Sequence, residues 1–270
     1  MTSLHDSPPL PGAFFTSADN QWFQPTDHTR GPWDESACHA GPPTGLLARA
    51  VEGLLPDQRL TRLTVNLLRP IPFSGFLIES RVLRRGRTVS CTEASLMDKQ
   101  GKVIVNAQGM HLTPGANQDF ATQHVSIGTP DQATAGKFPI QKTLHTKPAF
   151  NGTGVSVRYP SGQDEKPGST IAWLRTVPLL ADETPSAFQR ICPLADCGNA
   201  FGRNAEPNEV SFMNTDLTLL LHRDPQGDWL GTNSAGYWES NGIGMADAQL
   251  FDAQGAVGRA LQTLVIRKSD

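Results

Sequence analysis

Leu63-Thr64-Val65-Asn66-Leu67-Leu68-Arg69 and Leu217-Thr218-Leu219-Leu220-Leu221-His222-Arg223 carry one pattern, Leu-Thr-x-x-Leu-x-Arg, and stand 154 residues apart. The same displacement lays Leu96-x-Asp98-x-Gln100-Gly101-x-Val103 on Leu250-x-Asp252-x-Gln254-Gly255-x-Val257, with no gap between the two blocks. It also sets Gln108 on Gln262 and Cys38 on Cys192. Across residues 62–112, 12 of 51 positions are identical to their counterparts, against roughly 3 expected from average composition. The matches cluster at strand and turn positions, as a duplicated fold requires. A period this long is not a solenoid repeat. The chain therefore reads as two copies of one small domain, and a division of labour between them should show as a chemical difference at matched positions.

Composition narrows the function classes. A chain of 270 residues can bury a substantial core as one large domain or two ordinary ones, and the duplication favours two. The net charge is -3 and Lys and Arg are scattered, so nucleic acid is not an expected partner. Met1 to Pro9 has no basic region followed by an apolar one, and no apolar run approaches the roughly 18 residues that span a bilayer. The expectation is a cytoplasmic protein without membrane contact. Cys38, Cys91, Cys192 and Cys197 are too sparse for a disulfide scaffold and are read as reduced. Cys38-His39 and the Cys192/Cys197 pair lack a second pair at zinc-like spacing, so no metal is expected.

In the first copy, residues 45–55 have helical apolar spacing and end at Pro56. Strand-like segments follow at 60–68, 76–84, 88–97 and 102–112, separated by turn chemistry short enough to join only antiparallel neighbours. A helix wrapped by an antiparallel meander is an α+β arrangement. The second copy repeats the plan, with a helix at 196–202 and strands at 215–221, 229–237, 243–251 and 256–266, preceded by extended segments at 154–159 and 169–177. The organisation read from this is a first domain over 1–114, a linker over 115–145 and a second domain over 146–270.

Chemistry gathers in the second copy. On the last strand Ala260, Gln262, Leu264 and Ile266 share the face suited to a core, and Gln262 is its lone polar member. Left unpaired there it would cost on the order of 1–3 kcal/mol, so it either satisfies a backbone group or serves a site. Asp196 falls opposite Pro42, so a charge has broken the duplication. An Asp at a helix start is either a cap suited to the dipole or, together with Gln262 and the polar stretch Asn214-Thr215-Asp216, part of a group that holds and activates a water. No nucleophile elbow, phosphate loop or dinucleotide fingerprint is present, and Gly242-Ile243-Gly244 is a turn.

Residues 38–51 resemble the central helix, and Leu63 to Pro70 the following strand, of the double hot dog acyl-CoA thioesterases of the bacterial acyl-CoA thioesterase II type. In the second copy Ala195-Asp196-x-x-Asn199, Asn214 to Arg223, Asp228-Trp229-Leu230, Asp252-x-x-Gly255 and Gln262 recur in that family's order. The resemblance implies two tandem hot dog domains and hydrolysis of an acyl-CoA by a water held on an Asp, a Thr and a Gln. Asp196 and Gln262 match the first and third. The Thr position falls on Asn214, a departure, with Thr215 beside it. Parity puts Thr215 rather than Asn214 with Leu217, Leu219 and Leu221, but a first strand residue often breaks parity, so Asn214 is preferred and Thr215 is the substitute. Backbone N–H groups of His39, Ala40 and Gly41 are candidate donors to the thioester oxygen, and Asn199 is a further candidate for substrate contact. No cofactor and no covalent intermediate are implied. A hot dog hydratase, which would carry an Asp-x-Asn-Pro-x-His motif that is missing here, and a non-catalytic acyl-CoA binding protein are the alternatives. The resemblance and the exposed sheet edges together imply a homodimer.

Overall fold

Alternation of side chains sorts the strands. In residues 89–97 Ser90, Thr92, Ala94 and Leu96 are buried while the positions between them are more open, the period-2 signature of a strand with one face on a core. The computed structural model describes residues 12–19, 21–116, 120–141 and 145–269. The N-terminal stretch read above for targeting lies outside the described residues, as do 117–119 and 142–144 of the expected linker.

The first half runs β1 (Phe15–Thr16), β2 (Trp22–Pro25), α1 (Gly41–Glu52), β3 (Arg59–Leu67), β4 (Phe76–Arg84), β5 (Val89–Met97) and β6 (Val103–Leu112). The second runs β7 (Thr134–Gly136), β8 (Val155–Tyr159), β9 (Thr170–Thr176), α2 (Ala187–Ala195), α3 (Gly198–Phe201), β10 (Val210–Asn214), β11 (Asp216–Leu221), β12 (Leu230–Trp238), β13 (Ile243–Asp252) and β14 (Gly255–Lys268). Within the stretch read as a linker, β7 forms and pairs with β8. The strands make one antiparallel sheet in the order β1-β2-β4-β5-β6-β3-β11-β14-β13-β12-β9-β8-β7, with β10 also on β14. The helices lie on its inner face, and one continuous core of buried side chains, from Leu46 and Val51 to Leu217 and Ile191, spans both halves. Each half is thus a helix held in an antiparallel sheet, the α+β plan expected.

The halves join through β3 and β11, in a register that pairs Thr64 with Thr218. These two residues are each other's counterparts in the duplication. Antiparallel pairing of equivalent residues places a pseudo-two-fold axis through that pair, and the two hydroxyls lie 3.5 Å apart across it.

Three expectations are corrected. The first helix begins at Gly41, not residue 45, because Pro42 and Pro43 occupy its first turn, where a missing N–H costs nothing and the fixed φ suits a helix. The second helix is not 196–202. Ser186 caps α2, its hydroxyl accepting from Gln189 N–H at 3.1 Å, and only the four-residue α3 follows. Finally, β14 pairs with β13 one residue tighter than β6 pairs with β5: Met97 lies opposite Val103, but Phe251 opposite Ala256. A one-residue change exchanges the faces of a strand. Gln108 is accordingly exposed and Gln262 buried, so the two glutamines are not structural equivalents. The position equivalent to Gln262 is Gly109, where an added Cβ would sit 2.5 Å from Thr92 Oγ1.

The repeated Asp-x-Gln-Gly turns also differ. Asp98 accepts N–H bonds from Gln100 and Lys102 at an exposed hairpin. Asp252 is fully buried and receives Arg223 through Nη1 and Nη2, both at 2.6 Å, plus the N–H groups of Gln226 and Gln254. Burial alone would raise its pKa, yet these donors hold the carboxyl below its usual range. Arg69, the counterpart of Arg223, is exposed, and its guanidinium donates to Val103 O. Arg223→Ala is therefore expected to cost about 3–5 kcal/mol by leaving a buried unpaired carboxylate, and Arg69→Ala less than about 0.5 kcal/mol. Urea unfolding at pH 7 measures both. The Arg223 contribution belongs to the ionised carboxylate, so it shrinks as pH falls through the depressed pKa of Asp252.

Candidate functional site

Asp196 does not start a helix. It is the C-cap of α2 in the Asp196-Cys197 joint before α3, with its N–H on Cys192 O at 3.3 Å and the next N–H on Leu194 O at 2.9 Å. The capping alternative is thereby removed, since a carboxylate at a helix C-terminus meets the unfavourable end of the dipole. The joint is pressed into the sheet because small residues face it: a Cβ on Gly198 would lie 3.1 Å from Gln262 Oε1 and 3.3 Å from Ala248 Cβ. Asp196 is 3% exposed.

Two amides fix one carboxylate oxygen. Gln262 Nε2 donates to Asp196 Oδ1 and to Asp196 O, each at 3.1 Å, while its Oε1 accepts from Asn199 N–H at 2.9 Å. Gln262 therefore both satisfies backbone groups and holds the carboxylate, and the two readings of it coexist. Asn214 Nδ2 donates to Asp196 Oδ1 at 2.8 Å and to Asp216 O at 3.2 Å.

Thr215 is exposed, and its hydroxyl is turned to Thr263 O at 3.5 Å. A bulge decides between these neighbours. Against β14, Asn214 pairs with Leu264 but Thr218 with Leu261, so one extra residue sits at 215–216 and reverses the parity that favoured Thr215. Asp216 secures the bulge by accepting Thr263 N–H at 2.7 Å and Thr263 Oγ1–H at 2.9 Å.

The other carboxylate oxygen faces the first copy. His39 Nδ1 lies 3.2 Å from Asp196 Oδ2. The ring is stacked on Phe150 with centroids 4.2 Å apart, and its backbone N–H is bound to Thr29 O at 2.7 Å. Arg30, buried over Phe73, ties this loop to the 148–150 segment by donating to Pro148 O, while Phe150 N–H returns to Arg30 O. Gly41 lets the helices close on one another: a Cβ there would fall 2.8 Å from Pro193 Cα.

The three backbone donors expected at this helix start separate. The N–H of His39 is spent on Thr29 O, and that of Gly41 is shared between His39 Nδ1, at 3.2 Å, and the Asp196 carboxyl. Only the half-buried Ala40 keeps an N–H without a protein acceptor among the described residues. The imidazole of His39 is what sequence reading missed. The sequence points only to its backbone N–H, and nothing local to residue 39 signals a contact 157 residues away.

Burial dominates the electrostatics. It pushes the Asp196 carboxyl up to about 7, against the lowering effect of Asn214, Gly41 and Gln262, and it lowers His39 to about 4. Between about pH 4 and 7 the pair is neutral, the carboxyl holding its proton and the imidazole uncharged. Burial likewise raises the thiol of Cys38 to about 12 and those of Cys192 and Cys197 well above the usual range, so none offers a ready thiolate.

Asp196, His39, Ala40, Asn199, Asn214 and Thr215 open onto a cavity of about 520 Å³ between the copies, walled by Trp33, Ile71, Phe138, Ile140, Phe150 and Val265. An apolar cleft with a few convergent polar groups is the usual form of a small-molecule site. The sequence-predicted site residues thus gather in one place, although Gln262 and Gly41 do not line the cavity and reach it through Asp196, Gln262 by its amide and Gly41 by its N–H. In the first copy Gly109 takes the place of Gln262, and Thr92 Oγ1, bound to His111 Nε2 at 2.9 Å, lies 2.5 Å from where a Cβ on that glycine would be.

Residues 29–112 match the N-terminal domain and residues 129–266 the C-terminal domain of acyl-CoA thioesterases. The chain belongs to the acyl-CoA thioesterase family. Comparison with curated proteins returns no match. Among solved structures, it is similar to a Novosphingobium aromaticivorans protein (16% identity, covering 93% of this chain and 98% of that one, TM-score 0.70). It is also similar to a hot dog fold protein of unknown function from Alicyclobacillus acidocaldarius (15%, 93% and 95%, 0.68) and to the acyl-CoA thioesterase II of Mycobacterium marinum (15%, 95% and 95%, 0.64). At these identities the likeness establishes the fold, two tandem hot dog domains.

Asp196 carries a stability prediction. Its folded pKa lies above the ordinary 3.8, so its destabilising effect is absent below about 3.8, grows as pH rises from there and is complete above about 7. Asp196→Asn removes that charge and keeps the amide contacts. It is expected to be more stable than the native chain at pH 8 by on the order of 1–3 kcal/mol, with the gap closing by pH 4, as measured by thermal melts across that range.

Proposed function

We propose that this protein hydrolyses an acyl-CoA thioester to the free acid and CoA, using a water activated by Asp196. The observation that carries this reading is the Asp196 carboxyl itself, buried at the wall of an apolar cavity and held near neutral pKa, with one oxygen fixed by two amides. A base poised near the working pH is what general-base catalysis of water attack requires.

In this reading Gln262 and Asn214 anchor Oδ1 and so orient the carboxylate, leaving Oδ2 to take a proton from water. Thr215 contributes to the cavity wall and not to the carboxylate. Ala40 N–H, at the start of α1, and the side chain of Asn199 are donors for the thioester oxygen as negative charge develops there. The acyl chain occupies the apolar side, between Trp33, Phe138 and Phe150. The division of the chain into two units with a connecting segment, a cytoplasmic setting, a role in fatty acid metabolism and a homodimeric state extend the proposal and rest on the family resemblance.

Release of CoA thiol from a panel of acyl-CoA esters tests the reading. The native chain is expected to turn over at least one of them. Asp196→Ala should lower kcat by about 10²–10⁴-fold. Saturable binding without thiol release would point instead to a binding protein. Because the base is the ionised carboxylate, kcat/KM should rise with pH through about 7 and level off above it; a profile that falls across that interval would exclude Asp196 as the base.

A further inference from the structure

The contact between His39 and Asp196 constrains where a proton can be. Gly41 N–H donates to His39 Nδ1 at 3.2 Å, and an N–H donates only to a lone pair, so the neutral ring carries its hydrogen on Nε2. Nδ1 also lies 3.2 Å from Asp196 Oδ2. Two acceptors at that separation favour a proton between them, and with Nδ1 unprotonated the proton belongs to the carboxyl. Stacking on Phe150 and the backbone bond to Thr29 O hold the ring plane. Nδ1 is thus committed to Asp196, whereas Nε2 has no protein partner among the described residues and the ring lines the cavity, with its side chain 13% exposed.

We propose that His39 is a further catalytic residue, relaying to the departing sulfur the proton that Asp196 takes from water. This rests on the hydrolase reading above. The reaction starts from the ionised carboxylate, populated as pH rises through about 7, with Gly41 N–H on Nδ1 keeping the ring hydrogen on Nε2. In the first half of the reaction water oxygen bonds to the thioester carbon as its proton passes to Asp196 Oδ2. In the second, the carbon–sulfur bond breaks as the acyl oxyanion collapses. Asp196 returns its proton to Nδ1 while Nε2–H passes to the thiolate. One O–H and one C–S bond are lost, and one C–O and one S–H bond are formed. The imidazole never holds an extra proton, which agrees with the low basicity that burial gives it. It finishes with hydrogen on Nδ1, donated to the Asp196 carboxylate, and exchange with water in the cavity restores the starting tautomer.

The test compares leaving groups. In His39→Asn the side-chain carbonyl can replace Nδ1 as an acceptor, but it cannot relay. With an acyl-CoA, whose thiolate needs a proton, kcat should fall about 100-fold or more, while the 4-nitrothiophenyl ester of the same acid, whose thiolate leaves unprotonated, should lose no more than about threefold. Equal losses on both esters would assign His39 a merely structural role and overturn the proposal, as would no loss on either. If the native chain hydrolyses neither ester, the hydrolase reading itself fails. Should the variant not fold, the native chain decides: across acyl thioesters of graded thiol acidity a relay predicts a shallow dependence of kcat/KM on thiol pKa, and a steep one overturns it.

Discussion

The antiparallel ladder between β3 and β11 is the constraint on which the rest depends. It pairs each copy's Leu-Thr-x-x-Leu strand with its own counterpart, Thr64 against Thr218, and so turns a tandem repeat into a pseudo-symmetric body with one sheet and one core. The same rotation brings the start of α1 against the α2–α3 joint. His39 and Ala40 of the first copy thereby meet Asp196 of the second, and a cavity opens between them. Neither copy contains this site alone.

Symmetry built the scaffold, and one departure from its register, together with residue changes at matched positions, built the site. Tighter pairing of β14 on β13 turns Gln262 inward where the first copy has Gly109. An extra residue at 215–216, matched in the first copy by one between Leu60 and Arg62, turns Asn214 toward the carboxylate and Thr215 away, where the first copy has Leu60 and Thr61. Because side-chain direction in a strand has period 2, each shift exchanges a complete face. Without them the carboxylate would lack both its amides. The first copy has the bulge but neither the tighter pairing nor the charge, and it places the Thr92–His111 pair beside Gly109.

The buried carboxyl shows how function sets its cost in stability. Asp196 sits at a helix C-terminus, out of water, with no cation beside it among the described residues, and dipoles support its charged form. Such an arrangement is poor for stability and good for proton transfer near neutral pH. The contrast with Asp252 is direct: that carboxylate is as deeply buried but clamped by Arg223, and its pKa moves down. One buried acid is a structural clasp and the other a chemical group, and the presence of a guanidinium decides which.

Much was legible in the chain by itself. Hydrophobic periodicity, turn residues and the internal repeat determined the α+β class, the positions of ten strands to within a residue or two and the pairing of two like units, because these follow from local side-chain pattern; β1, β2, β7 and β10 are short and do not stand out in it. Asp196 stood out as a charge opposite Pro42, and Gln262 as a polar side chain on an apolar face. What only the tertiary structure decided were registers and long-range contacts: that Gln108 is no equivalent of Gln262, that Asn214 rather than Thr215 reaches the carboxylate, that α2 ends rather than begins at Asp196, and that the imidazole of His39 lies 3.2 Å from it. A bulge, or a hairpin closed one residue tighter, leaves no mark in composition or periodicity. Its energy comes from packing between segments far apart in sequence, and it exists only once the chain has folded.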